Sequence, residues 1–245
     1  MSIWPYPRWI AHRGAGRLAP ENTLAALRLG AQHGYRMFEC DVKLSRDDVP
    51  FLLHDDRLER TTDGSGVAGQ QPWHDLAQLD AGAWHSRGFA GEPLPSLQGI
   101  ARFCLRNGYF LNIEIKPTPG VEEHTGRVVA DHVARLWQGQ AVLPLLSSFR
   151  PQALAGAQAA QPQLPRSLLL HSPWTGWLET AITLDCVAVV CHHPLWDRAT
   201  LARVRSAGLR ALAYTVNNEA EAERLKALGI DGLITDRVDL FSPSS

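Results

Sequence analysis

The chain has 245 residues, 45% hydrophobic and 20% charged, and its 24 basic and 25 acidic side chains leave a formal net charge of -1. That is the composition of a folded globular protein; the charge balance excludes a general nucleic-acid or anionic-membrane surface, and no apolar run approaches the ~18 residues of a membrane span. The opening MSIWPYPRWIAHRG has no apolar h-region or cleavage site, and Cys40, Cys104, Cys186 and Cys191 form no disulfide framework over this length, so reduced thiols in a cytoplasm are expected.

In chain order, the first strand is read at Trp9–His12. A helix over 21–33 follows, with Asn22 and Thr23 after Pro20 as its start signal. The second strand is Arg36–Asp41, and VKLSRDDVPFLLHDD then joins two β-like stretches across a few turn residues. A parallel crossover needs about a dozen residues, so this is a hairpin with Pro50–His54 as its return arm. Asp55–Pro95 is a long excursion rich in Gly, Asp, Thr and Trp, anchored by Trp73, Trp84 and Phe89. With the hairpin it forms an insertion over approximately 43–95, read as a functional cap at one end of the fold.

Beyond the insertion, helices are expected over 96–107, 121–138, 150–160, 195–207 and 218–228. The strands among them are Tyr109–Lys116, Val142–Ser148, Ser167–His171, Val187–Cys191, Arg210–Thr215 and Gly232–Thr235. No helix is assigned between the fifth and sixth strands; Trp174 and Trp177 in that loop are placed at the pocket mouth. Gly34, Gly108, Gly208 and Gly229 sit where helix C-termini want left-handed backbone. Eight strands alternating with helices imply an α/β fold of the closed (β/α)8 type over 1–245, a single barrel domain, with an open doubly wound sheet as the rival. The chain stops soon after the eighth strand, so no full eighth covering helix is expected.

Alternate strand residues share a face. Glu39 and Asp41 lie on one face of FECDV, and Asn112, Glu114 and Lys116 on one face of LNIEIK, with the aliphatic residues opposite. The aliphatic set suits the layer under the helices, which sends the charges into the lumen, where carboxylates are costly without compensation. The bland alternatives are an ion-pair network with Lys116 or reversed faces. The functional one is a single divalent cation, Mg2+ or Ca2+, on Glu39, Asp41 and Glu114, because hard ions prefer carboxylate oxygens. His12 and His54 end neighbouring segments and suit general acid and base, while Arg13 and Lys116 supply charge for an anion, with Glu21 orienting Arg13. A zinc site at Cys186 and Cys191-His192-His193 lacks the paired spacing of structural zinc, so core thiols are the better reading.

The phrases AHRG (11–14), PENT (20–23), FECDV (38–42), LLHDD (52–56), RTTDGSG (60–66), NIEIKP (112–117), SSF (147–149), YTVN (214–217) and DGLITD (231–236) together resemble the glycerophosphodiester phosphodiesterases, in order and over nearly the whole chain. The resemblance implies a phospholipase C-like phosphodiesterase barrel. It makes His12 and His54 the acid–base pair, Glu39, Asp41 and Glu114 the metal ligands, and Arg13 and Lys116 the phosphate contacts. Tyr214 stands where the family usually has Trp lining the glycerol pocket, which bears on substrate preference. The implied reaction splits a small-molecule glycerophosphodiester into sn-glycerol 3-phosphate and an alcohol, with neither nucleic acid nor a membrane span involved. Lipid cleavage of the lysophospholipase D or phospholipase C kind, and a catalytically silent binding barrel, are the alternatives; oligomeric state, head group and the order of the histidines stay open.

Overall fold

Period-two alternation and glycine-ended helices build a chain of strand–helix units. The computed structural model describes residues 4–243. In order, the elements are β1 (Trp9–Ala11), α1 (Leu24–Gln32), β2 (Met37–Leu44), β3 (Pro50–Leu52), α2 (Trp73–Leu76), α3 (Leu97–Asn107), β4 (Phe110–Ile115), α4 (Glu122–Leu136), β5 (Leu145–Ser148), α5 (Pro151–Ala160), β6 (Arg166–Leu170), α6 (Trp177–Thr183), β7 (Cys186–His192), α7 (Arg198–Ser206), β8 (Arg210–Tyr214), α8 (Glu219–Leu228) and β9 (Gly232–Thr235). Eight parallel strands run in the order β1-β9-β8-β7-β6-β5-β4-β2 and close through β1–β2, with helices between them. The ninth strand, β3, pairs antiparallel on β2 with Val42 opposite Leu52, which is the expected hairpin. The open-sheet rival is excluded by the closure.

The lumen is stratified. Ile10, Met37, Leu145, Leu169, Val190, Leu212 and Ile234 form an apolar plug in its lower part. The alternate residues Phe38, Cys40, Val42, Leu111, Ile113 and Ile115 pack outward with the helices. Above the plug, β2 and β4 run in register with Glu39 opposite Asn112 and Asp41 opposite Glu114, which stacks polar side chains towards the strand C-termini. Barrel active sites occupy that end.

The insertion carries its own small core of Phe51, Leu53, Leu58, Ala68, Leu76, Ala81 and Leu94, against which Trp73 packs. Phe89 is half-buried against the main core, whereas Trp84 is largely exposed and holds on through Nε1 donating to the Ala81 carbonyl. Two expectations need correction. The loop after β6 contains helix α6, whose short apolar face of Trp177, Leu178 and Ala181 is too brief to announce itself just after the breakers Pro173 and Gly176. Trp177 is therefore buried, with Arg203 over its ring, and does not border the mouth. The helix expected over 195–207 starts later, at Arg198, because Asp197 caps it by accepting from the Thr200 N–H and a 3-10 turn occupies His193–Leu195. After β9 the described residues to 243 form turns only.

Candidate active site

The loop after β1 bends sharply: Arg13 (φ 51), Gly14 (φ 100) and Gly16 (φ 57) all have left-handed backbone. A Cβ on Gly16 would lie 2.1 Å from the Asp236 carbonyl, so only glycine lets this loop lie against the end of β9. The bend brings the Arg13 N–H to Glu39 Oε2 at 3.0 Å and its guanidinium Nε to Asp41 Oδ2 at 3.2 Å. Glu21 accepts from Arg13 Nη1 at 2.8 Å, the orienting contact expected of it.

Glu39, Asp41 and Glu114 are buried and each offers an oxygen within 4.8 Å of the others. Among the described residues this is the one group of three or more potential metal-ligating side chains so placed; Cys186 and Cys191 are buried free thiols. Glu39 Oε1 meets no donor, and Glu114 Oε1 meets only the Lys116 ammonium, at 3.2 Å and outside hydrogen-bond geometry. Burial, reinforced by the charges of Asp41 and Glu114, holds Glu39 well above the usual carboxylate range. Burial and then Asp41 push Glu114 up to about 7. Asp41 goes the other way: burial alone would raise it, but Arg13, His54, Lys116 and the Asn22 amide outweigh that and lower it. Three such carboxyls resist ionising together, and a divalent cation is the partner that would let them. The donor set is all oxygen, with buried orphaned atoms facing one point, and so fits a hard ion.

The two histidines face this cluster. His12 follows β1, donates from Nδ1 to Asp236 Oδ1 at 2.6 Å and holds Nε2 3.7 Å from Glu39. His54 donates from Nδ1 to Asp55 Oδ1 at 2.7 Å, and its Nε2 accepts from Lys116 Nζ at 3.2 Å. Burial first, then the charges of Arg13 and Lys116, lowers His54 and so favours the neutral ring, although Asp41 pulls the other way.

Two cavities meet here. The inner one, about 240 Å3, is bordered by His12, Arg13, Glu39, Asn112, His171 and Tyr214. The outer groove, about 430 Å3, runs past Lys43, Asp56, Lys116 and Arg150, and both share His54, Glu114 and Phe149. Tyr214 turns its hydroxyl onto the Leu170 carbonyl at 3.2 Å and offers its ring edge-on to Phe149, 5.8 Å between centroids. Seven of the eight residues singled out from the sequence line the inner cavity or the groove joined to it; Asp41 lines neither and lies behind them, within 4.8 Å of Glu39 and Glu114.

Several side chains that matter were not singled out. Asn22, read as helix-start chemistry, grips Asp41 twice, Nδ2 donating to Oδ2 at 2.8 Å and Oδ1 accepting the Asp41 N–H at 2.9 Å; Thr23 alone caps α1. Asp236 closes the DGLITD phrase at the end of β9, which the barrel sets beside β1. Asp55 and Arg60 sit in the inserted segment, where periodicity says nothing about contacts.

The sequence model described as glycerophosphoryl diester phosphodiesterase family matches residues 12–240. YhdW of Bacillus subtilis (strain 168) is 32% identical over 238 residues, covering 95% of each chain. A glycerophosphodiester phosphodiesterase of Caldanaerobacter subterraneus subsp. tengcongensis is 29% identical, with 93% of each chain covered. A phosphodiesterase of Oleispira antarctica, solved in complex with the product sn-glycerol-3-phosphate, superposes with a TM-score of 0.87 at 36% identity, covering 94% of this chain and 93% of that one. The barrel, the site at its strand C-termini and these similarities place the chain in the glycerophosphoryl diester phosphodiesterase family of phosphoric diester hydrolases.

Proposed function

We propose that the chain hydrolyses small glycerophosphodiesters to sn-glycerol 3-phosphate and an alcohol, with one divalent cation, Mg2+ or Ca2+, and His12 and His54 as an acid–base pair. The observation that carries the reading is a cluster of three buried carboxyl groups within 4.8 Å of one another, flanked by two carboxylate-anchored imidazoles, His12 on the inner cavity and His54 on both cavities. The Oleispira product complex supports sn-glycerol 3-phosphate as the product here. No helix among the described residues is long and apolar enough to cross a membrane, in keeping with a small-molecule substrate.

A hard cation held by Glu39, Asp41 and Glu114 would polarise the phosphate and offset the charge that develops in the transition state. Arg13 and Lys116 orient the phosphate at the junction of the cavities, with glycerol against Tyr214 in the inner one and the alcohol moiety in the outer groove. His54, kept neutral by burial and with Nδ1–H fixed on Asp55, takes a proton at Nε2 from the water that attacks phosphorus. As the new P–O bond forms, the bond to the departing alcohol breaks and His12 delivers a proton to its oxygen. His12 Nδ1 is held on Asp236, which leaves Nε2 turned to the departing oxygen. Incubation with glycerophosphocholine, glycerophosphoethanolamine and a lysophospholipid tests the substrate class: turnover of the first two supports the reading, and turnover of the lysophospholipid alone contradicts it.

A further inference from the structure

We infer that Arg60, from the inserted segment, is a positioning residue that holds the proton-transferring His54 and the phosphate-orienting Arg13 in one rigid arrangement. The inference rests on the hydrolase reading above and adds to it a part for the insertion. A single guanidinium makes two forked contacts. Nε and Nη2 donate to Asp55 at 2.5 and 3.0 Å, and Nη1 and Nη2 donate to Glu21, both at 2.8 Å. Asp55 Oδ1 also accepts from His54 Nδ1, and Glu21 Oε1 also accepts from Arg13 Nη1. The result is an unbroken chain, His54–Asp55–Arg60–Glu21–Arg13, that runs from the base to the guanidinium beside Asp41.

The contact is solvent-facing, but its geometry is that of an alignment device. A planar fork matched to two carboxylates fixes direction as well as distance, which a lysine ammonium cannot do. Arg60 holds both carboxylates below the usual range, through hydrogen bonds that come first among the causes at Asp55 and second only to burial at Glu21. Without it, two anions would face each other across the site, and each would pull its own partner out of line. Arg60 itself is largely exposed, and such pairs contribute little to global stability. Its effect therefore falls on alignment, where displacement of about 1 Å costs about 100-fold in rate.

The test is steady-state kinetics on glycerophosphocholine with saturating divalent cation, alongside thermal melts. Glu21→Gln should chiefly raise KM and Asp55→Asn should chiefly lower kcat, because each cuts one arm. Arg60→Ala should do both, lowering kcat/KM by about 10-fold to 100-fold at an unchanged melting temperature, with part of the loss recovered by added guanidinium. Arg60→Lys should fall in between, and it keeps the test open if the alanine variant folds poorly. Wild-type kcat/KM in Arg60→Ala overturns the inference, as does a loss without guanidinium recovery in which the Glu21 and Asp55 variants show no KM-against-kcat split. Both results leave the hydrolase reading standing. A wild-type protein that turns over no glycerophosphodiester removes that reading and the inference together.

Discussion

Asp236 Oδ1 lies 2.6 Å from His12 Nδ1 although 224 positions separate the two residues. Barrel closure makes them neighbours: Ala11 pairs with Thr235, and the next residue on each strand points into the same end of the lumen. Asp236 is held in turn by Asn217, whose Nδ2 donates to Oδ2 and whose Oδ1 accepts the Asp236 N–H, both at 2.9 Å. A carboxylate on Nδ1–H fixes tautomer and ring orientation, leaving Nε2 for the substrate. Asp236→Asn should lower kcat by about 100-fold, within the range typical of a misaligned acid–base group, while KM changes little. Steady-state kinetics on the folded variant checks this; an unchanged kcat would strip Asp236 of that part.

Glu114→Gln removes one charged oxygen donor and keeps the shape of the side chain. Calorimetric titration with Mg2+ and Ca2+ should show affinity reduced by at least about 10-fold, with turnover lost and the circular dichroism spectrum unchanged. Cation binding equal to wild type would take Glu114 out of the ligand set.

The same carboxyl predicts a pH effect on the metal-free protein. Glu114 has its native pKa raised from 4.5 to about 7 by burial and Asp41. The native state therefore binds more protons than the unfolded chain between those values, and stability falls as pH rises through that window. The share of this one group should reach about 3.5 kcal/mol, at about 1.4 kcal/mol per pK unit. Melts of chelated protein from pH 4.5 to 7.5 should show the decline, Mg2+ or Ca2+ should reverse it at pH 7.5, and Glu114→Gln should lessen it, the remainder coming from Glu39, which burial and its neighbours also raise. A rising melting temperature across that window in the chelated wild type would contradict this account.

A substitution far from the site gives a control. Helices α4 and α5 touch through Gly126 and Gly156: a Cβ on Gly126 would lie 1.8 Å from the Ala153 carbonyl oxygen, and one on Gly156 2.0 Å from that of Glu123. Gly126→Ala must push backbone apart and should cost about 1–3 kcal/mol in denaturant unfolding, with kcat unchanged while the protein is folded. Wild-type stability would mean that the helices separate freely.

The barrel was legible because its strands alternate with glycine-ended helices, and the carboxylates because FECDV and LNIEIK put charges on the face opposite their aliphatics. Both signals are local and periodic. The supports of the site are neither. Asp236 and His12 meet only because the barrel closes, and Arg60 reaches Glu21 across 39 positions from an irregular segment. Asn22 looked like a helix cap because Asn favours that place; instead its left-handed backbone, φ 60, turns the amide onto Asp41. Helix α6 was overlooked for a different reason, since seven residues present too few turns to establish a period.

If Glu39, Asp41 and Glu114 seat a divalent cation, the two histidines cleave the diester only with that ion in place. Phosphorus NMR of glycerophosphocholine with chelated protein, before and after addition of Mg2+ or Ca2+, tests it most directly. No turnover is expected before addition, and sn-glycerol 3-phosphate is expected as the phosphorus-containing product afterwards. Undiminished hydrolysis in the chelated sample, or release of phosphocholine, would contradict it.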